Sequence, residues 1–147
     1  MRFVPSSILA LVVVVLPAAA AAQKQPVVPA GMNATATLTP GIRDGNTLYT
    51  SGQLGVSRTD PDSSIQGQTK RALENIQKVV EAAGSSMANV LKCTVFLADM
   101  KDFAGMNSAY TQAFPKEPPA RSTVAVAGLA SPTAKVEIEC VAAIPAK

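Results

Sequence analysis

The sequence predicts one α+β domain, a mixed β-sheet with two helices packed on one of its faces. Three observations carry the prediction. The chain has 147 residues, room for one ordinary domain. Its apolar patterning reads in the order ββ-α-β-α-ββ. Two helices are too few to cover both faces of a sheet, so they share one. The uncovered face then needs a partner, and self-association through it is the natural answer.

Residues 1–22 read as a secretory signal peptide: Arg2, an unbroken apolar run from Ile8 to Leu16, Pro17, then small residues Ala18 to Ala22. The run is about half the ~20 residues a spanning helix needs, so no membrane attachment is expected after cleavage near Ala22–Gln23. An exported protein, periplasmic or secreted, follows. Residues 23–33 read as a flexible lead-in containing Pro26 and Pro29, and residues 34–147 as the single domain. Thr35 to Ile42 and Asn46 to Leu54 flank Asp44-Gly45, a tight-hairpin pair. Arg58 to Ser64 is a polar loop. From Ile65 to Ala83 the positions Ile65, Ala72, Leu73, Ile76, Val79, Val80 and Ala83 form one helical stripe. Lys70, Arg71, Glu74, Lys78 and Glu81 lie outside it, and Gly84 ends it.

Val90 to Ala98 is a buried strand. Asp99 or Asp102 caps a second helix, Phe103 to Phe114, with Phe103, Met106, Tyr110 and Phe114 inward. Pro115 ends it, and Pro118-Pro119 keeps the chain extended. Arg121 to Leu129 and Lys135 to Ala143 are the last two strands.

Composition removes whole classes of chemistry. There is no histidine and no tryptophan, which excludes Ser-His-Asp and Cys-His catalysis and His-ligated metals. Two cysteines far apart in sequence assemble no thiolate metal site. The net charge of +3 is too mild and too scattered for a nucleic-acid surface. Cys93 and Cys140 either bridge or remain small buried residues within their strands, and packing is the preferred reading.

The chemistry-bearing pair is Arg121 and Glu137, which open the last two strands. If those strands are neighbours, the two side chains meet. Arginine's planar fork suits bidentate capture of a carboxylate, and a partly desolvated glutamate can hold a water and move its protons. On spacing alone, an ordinary cross-strand salt bridge is the simpler reading.

Thr50-Ser51-Gly52-Gln53, Asn75, Cys93-Thr94-Val95-Phe96-Leu97, Asn107 with Tyr110, Pro119-Ala120-Arg121-Ser122 and Val136-Glu137-Ile138-Glu139 together resemble the reactive intermediate deaminases. This is the RidA/YjgF family of enamine/imine deaminases. The resemblance runs from about Thr37 to Ala143, and the Pro-Ala-Arg-Ser…Val-Glu-Ile-Glu tail is its most specific part. It implies a chorismate-mutase-like (YjgF-like) fold and homotrimers with a cleft at each subunit interface. It also implies hydrolysis of 2-imino acids, formed from enamines, to 2-keto acids and ammonia. By the same resemblance Arg121 binds the substrate carboxylate and Glu137 positions the attacking water. Ser51 and Gly52 line the cleft, Asn107 orders its wall, and no metal or organic cofactor is needed.

The chain departs from that pattern at two positions lining the cleft. Leu38 stands where deaminase-branch members commonly carry a tyrosine, and Thr123 where they often carry a cysteine; the loop from Leu129 to Lys135 is one residue longer. The lost phenol makes the cleft more apolar. A second function therefore stands beside the first: a non-catalytic trimeric binder of a small carboxylate metabolite or a protein partner. Glu137 favours the enzyme, because a pure binder needs no water-handling acid. Tyr110 reads as core packing, Ser51 as a small residue allowing close approach, and Lys70-Arg71 as a solvated helix face.

Overall fold

The computed structural model describes residues 24–146; the leader read at residues 1–22 lies outside them. The strands are β1 (Gln25–Val27), β2 (Gly41–Asp44), β3 (Thr47–Thr50), β4 (Gln53–Leu54), β5 (Val90–Leu97), β6 (Ala120–Ala125) and β7 (Val136–Ala143). The helices are α1 (Ile65–Ala82) and α2 (Phe103–Ala113), each next to one short 3-10 turn, Met87–Asn89 or Met100–Asp102. One sheet runs β1-β2-β3-β7-β5-β6, with β4 continuing along β7 beyond β3. All pairs are antiparallel except β5 with β6. That parallel pair is joined through α2, as a parallel pairing requires a crossover.

Period-two burial along the central strand sets the layers. Val136, Ile138, Cys140 and Ala142 of β7 are buried, while Glu137, Glu139, Val141 and Ala143 point to the other face. The buried row meets Val95 and Leu97 of β5, Leu48 of β3, the stripe Ala72, Leu73, Ile76, Val79, Val80 of α1, and Met106 and Tyr110 of α2. Each such aliphatic side chain contributes about 1.5–3 kcal/mol relative to exposure. Ser64 caps α1 by accepting the Gly67 N–H at 3.0 Å. At the other end Gly84, at φ +82°, turns the chain away. Both helices sit on one face, as the element order predicts. The opposite face carries Tyr49, Lys92, Thr94, Phe96, Glu137, Glu139 and Val141, with no helix over it among the described residues.

Four sequence expectations change. Residues 23–33 are not simply a flexible lead-in, because Gln25–Val27 pairs with Gly41–Arg43 and extends the sheet. The strand expected from Thr35 begins only at Gly41. Thr35 exchanges hydrogen bonds with Leu38 (N–H to carbonyl at 2.8 Å, and Leu38 N–H to Oγ1 at 3.0 Å), which turns the segment before Pro40. Arg71 is not a solvated helix residue. Its guanidinium pairs with Asp60 at 2.6 Å and donates to the Gly55 carbonyl at 2.6 Å and to that of Asp62. This fixes the loop between β4 and α1.

The fourth change concerns the cysteines. Cys93 and Cys140 form a disulfide, their Cα atoms 4.1 Å apart. They are direct partners across β5 and β7. The Cys140 N–H turns away from β5 and donates to Thr50 Oγ1 at 2.9 Å, so the pair occupies a non-hydrogen-bonded position, where side chains approach most closely. Their registry was invisible while the strand order was unknown.

Candidate functional site: two half-sites on opposite faces

The first half-site is built on a β-bulge. Tyr49 pairs with Val141 and Gln53 with Ile138, so Thr50, Ser51 and Gly52 oppose only Glu139 and Cys140. The extra residue bends the strand and opens its backbone. Glu137, on the helix-free face, fills the space where Gly52 lacks a side chain. A Cβ there would meet Cδ of Glu137 at 2.8 Å and Cγ at 3.0 Å, with Oε1 nearer still. Gly52 is thus required for the approach of the carboxylate.

Ser51 clasps the neighbouring segment. Its hydroxyl donates to the Thr39 carbonyl at 2.6 Å and its N–H to that of Pro40 at 2.9 Å. The hydroxyl expected to line the cleft thus gives its hydrogen to the segment carrying Leu38. Leu38 is 47% exposed, an apolar side chain left in the open beside the bulge.

The second half-site is at the other edge of the sheet. Arg121 is the register partner of Cys93 in the parallel β5–β6 pair, so its side chain lies on the helix face. There it meets α2. The guanidinium carbon sits 4.6 Å from the Tyr110 ring centroid and 5.8 Å from that of Phe103, and Nη1 donates to Met106 Sδ at 3.9 Å. Among the described residues no carboxylate pairs with it. Burial pushes the Tyr110 phenol up to about 12, against the opposing pull of the Arg121 cation. The Tyr110 and Thr123 hydroxyl oxygens are buried without a hydrogen-bond partner. Thr123 lies two residues beyond Arg121 on the same side of β6, as its pairing with Val95 requires. Asn107 lies one turn from both Phe103 and Tyr110 on α2 and is half-buried.

Arg121 and Glu137 do not meet within one chain. β5 stands between β6 and β7, and the two residues occupy opposite faces. Phe96 pairs with both Glu137 and Val124, so Arg121 is offset by about 10 Å across two strand spacings and about 10 Å along them. The expectation of neighbouring strands fails because residues 120–125 join the sheet beside β5 through a parallel crossover, not as a hairpin with β7. Phe103 and Met106, read from the sequence only as a core stripe, prove to be neighbours of the arginine. Their i, i+3, i+7 spacing with Tyr110 was the available signal.

Comparison with known proteins agrees with this architecture. The family model described as Endoribonuclease L-PSP matches residues 29–144. Protein mmf1, mitochondrial, of Schizosaccharomyces pombe is 41% identical over 104 residues, which is 69% of this chain and 64% of that protein. Reactive Intermediate Deaminase A, chloroplastic, of Arabidopsis thaliana is 39% identical over 70% of this chain and 56% of its own length. A 2-iminobutanoate/2-iminopropanoate deaminase of Dermatophagoides farinae is 39% identical over 70% of this chain and 82% of its own. The match thus spans less than two thirds of the first two relatives. Among solved structures, yeast YEO7 superposes with TM-score 0.76 at 34% identity, covering 84% of this chain and 100% of that one. Escherichia coli TdcF with bound serine gives 0.70 at 35% identity, covering 80% and 93%.

These relatives correct one expectation. Two carry mitochondrial and chloroplastic names, so the reading of a periplasmic or secreted protein is withdrawn; it rested on residues 1–22 alone. With the family model covering every strand but β1, both helices and both half-sites, the chain belongs to the Endoribonuclease L-PSP family, the RidA/YjgF family of reactive intermediate deaminases.

Proposed function

We propose that this protein hydrolyses 2-imino acids, and the enamines that tautomerise to them, to 2-keto acids and ammonia in clefts between copies of the chain. The observation that carries the reading is the separation of the two half-sites. Arg121 on the helix face has no carboxylate partner among the described residues. Glu137 lies on the face left without helices. A cleft in which the Arg121 edge of one copy meets the Glu137 face of the next unites them, and a closed ring, the homotrimer, repeats that cleft at every interface. The deaminase names of two relatives support the same chemistry.

In such a cleft Arg121 grips the substrate carboxylate with charge-assisted hydrogen bonds, about 1.5–3 kcal/mol for a grip of this kind. The imine carbon is already electrophilic, so its hydrolysis needs orientation and a water more than a strong nucleophile. Glu137 accepts a proton as water adds to the carbon and returns it to the nitrogen, giving a carbinolamine, then carries that intermediate's hydroxyl proton to the same nitrogen. The C–N bond breaks, ammonia leaves and the ketone forms. Leu38 makes the wall apolar and favours imino acids with aliphatic side chains. Asn107 and Thr123 border the arginine side. The reaction as drawn employs no metal and no cofactor.

An amino-acid oxidase generates the imino acid in situ, and semicarbazide traps it. The protein should slow trapping, and Arg121→Ala and Glu137→Gln should each abolish the effect. Refolding the two inactive variants together should restore part of it, because some clefts then combine an intact arginine with an intact glutamate. Failure of the mixture to recover activity sinks the shared cleft. Wild-type protein that leaves every imino acid untouched, yet binds a small carboxylate, favours the non-catalytic binder. The exposed Leu38 and the serine bound in TdcF keep that second reading in view.

A further inference from the structure

We infer that Phe103 and Tyr110 form an aromatic cradle that positions Arg121, so that α2 sets the aim of the carboxylate grip. The inference rests on the deaminase reading only for the identity of what Arg121 grips. The cradle itself stands on geometry. The guanidinium carbon lies 4.6 Å from one ring centroid and 5.8 Å from the other, both within the ~6 Å over which a cation is attracted to a ring face. Met106, between them on the same helical stripe, takes an Nη1 hydrogen at 3.9 Å. Three residues of one helix thus surround the head of a side chain delivered by a strand.

Physical chemistry explains why this arrangement positions the group and does more than bury it. A free arginine has about 2 kcal/mol of rotamer entropy to lose on gripping a ligand. An acidic partner would fix it, but would also consume the donors and neutralise the charge a carboxylate ligand needs. Rings attract the cation without accepting its strong hydrogen bonds, so apart from the Nη1 hydrogen given to Met106 its N–H donors stay available for a ligand. Tyr110 is buried and so provides a fixed wall, packed in turn against Phe114 at a 42° tilt with centroids 4.8 Å apart. Phe103 is 38% exposed and forms the outer wall. The Tyr110 hydroxyl has no hydrogen-bond partner, so its ring and not its oxygen does the positioning.

The test reads the arginine directly in the full-length protein. Aromatic ring currents should move the Arg121 Hδ and Hε resonances upfield of ordinary arginine, identified by the signals that Arg121→Lys removes. Phe103→Leu, at the partly exposed wall, should shrink the displacement while keeping the fold. Tyr110→Phe should retain it. Ordinary resonances in the wild type, or no change in Phe103→Leu, overturn the cradle whatever the enzyme assay shows. Where the wild type hydrolyses imino acids, Phe103→Leu should raise KM about threefold to tenfold with kcat within about twofold. A collapse of kcat at unchanged KM overturns positioning through ligand grip. A wild type inactive on imino acids refutes the deaminase reading, while the displaced resonances still establish the cradle.

Discussion

Gly52→Ala isolates the geometry of Glu137 without removing any chemical group. Gly52 does not have a positive φ, so alanine fits its backbone. The new methyl instead meets Glu137, with Cδ at 2.8 Å and Cγ at 3.0 Å against the 3.4 Å at which ordinary contact begins. Oε1 is nearer still and sets the movement: the carboxylate must swing by about 1.5 Å, with Cδ retreating by about 0.6 Å. A misplacement of that size costs up to about a hundredfold in rate, so kcat/KM in the semicarbazide assay should fall roughly tenfold to a hundredfold. The strain on the glutamate rotamer is about 1 kcal/mol. Loss of glycine's unfolded-state freedom returns about half of that, so Tm should move by only a few degrees. Full activity in a folded Gly52→Ala protein would refute the placement of Glu137 against the bulge. Loss of fold would refute the claim that only a flexible side chain resists the methyl.

Three more perturbations probe what holds the half-sites. The double variant Cys93→Ala with Cys140→Ala opens a tie between residues 47 apart in sequence. It should lower the unfolding free energy by about 2–4 kcal/mol in a urea titration, and an unchanged midpoint contradicts the bridge. Gln68, 2% exposed, accepts the Lys135 N–H at 2.9 Å and donates to the Thr133 carbonyl at 3.0 Å. Gln68→Leu strands both groups and should cost about 2 kcal/mol, with faster amide exchange in residues 131–135; unaltered exchange counts against this bracing. Tyr110 has a raised pKa in the folded state, so it favours the fold below pH 10 and loses that contribution as pH rises toward about 12. Its phenolate absorbance should therefore appear only near 12, a step that Tyr110→Phe removes together with the matching loss of stability. A Tyr110 phenolate step at pH 10 would contradict its burial against Arg121.

Much of the fold was legible because its determinants are local. The helical stripe from Ile65 to Val80, Gly84 and the Asp44-Gly45 turn each act within a few residues of themselves. The alternation Val136, Ile138, Cys140, Ala142 likewise marks a strand with one face buried. Strand order is not local. Nothing in residues 120–125 announces that they run parallel beside β5, and the meeting of Arg121 with Glu137 depended on that order. The same gap hid the Cys93–Cys140 pairing and the Arg121 cradle, each a contact between elements distant in sequence. The β-bulge at residues 50–52 was hidden differently. Alternation within either strand looks regular, and the inserted residue appears only when the two registers along β7 are compared.

Arg121, Cys93, Cys140 and Thr50 stand in a single row across four strands, tied by backbone pairing, a covalent bridge and the Thr50 hydroxyl. One end of the row carries Arg121 and the other adjoins the bulge that seats Glu137, so the row acts as a ruler between the two half-sites. A register pinned in this way cannot slip along the row. In the ring proposed above, each chain would then carry the same fixed spacing from one cleft to the next, whatever occupies either.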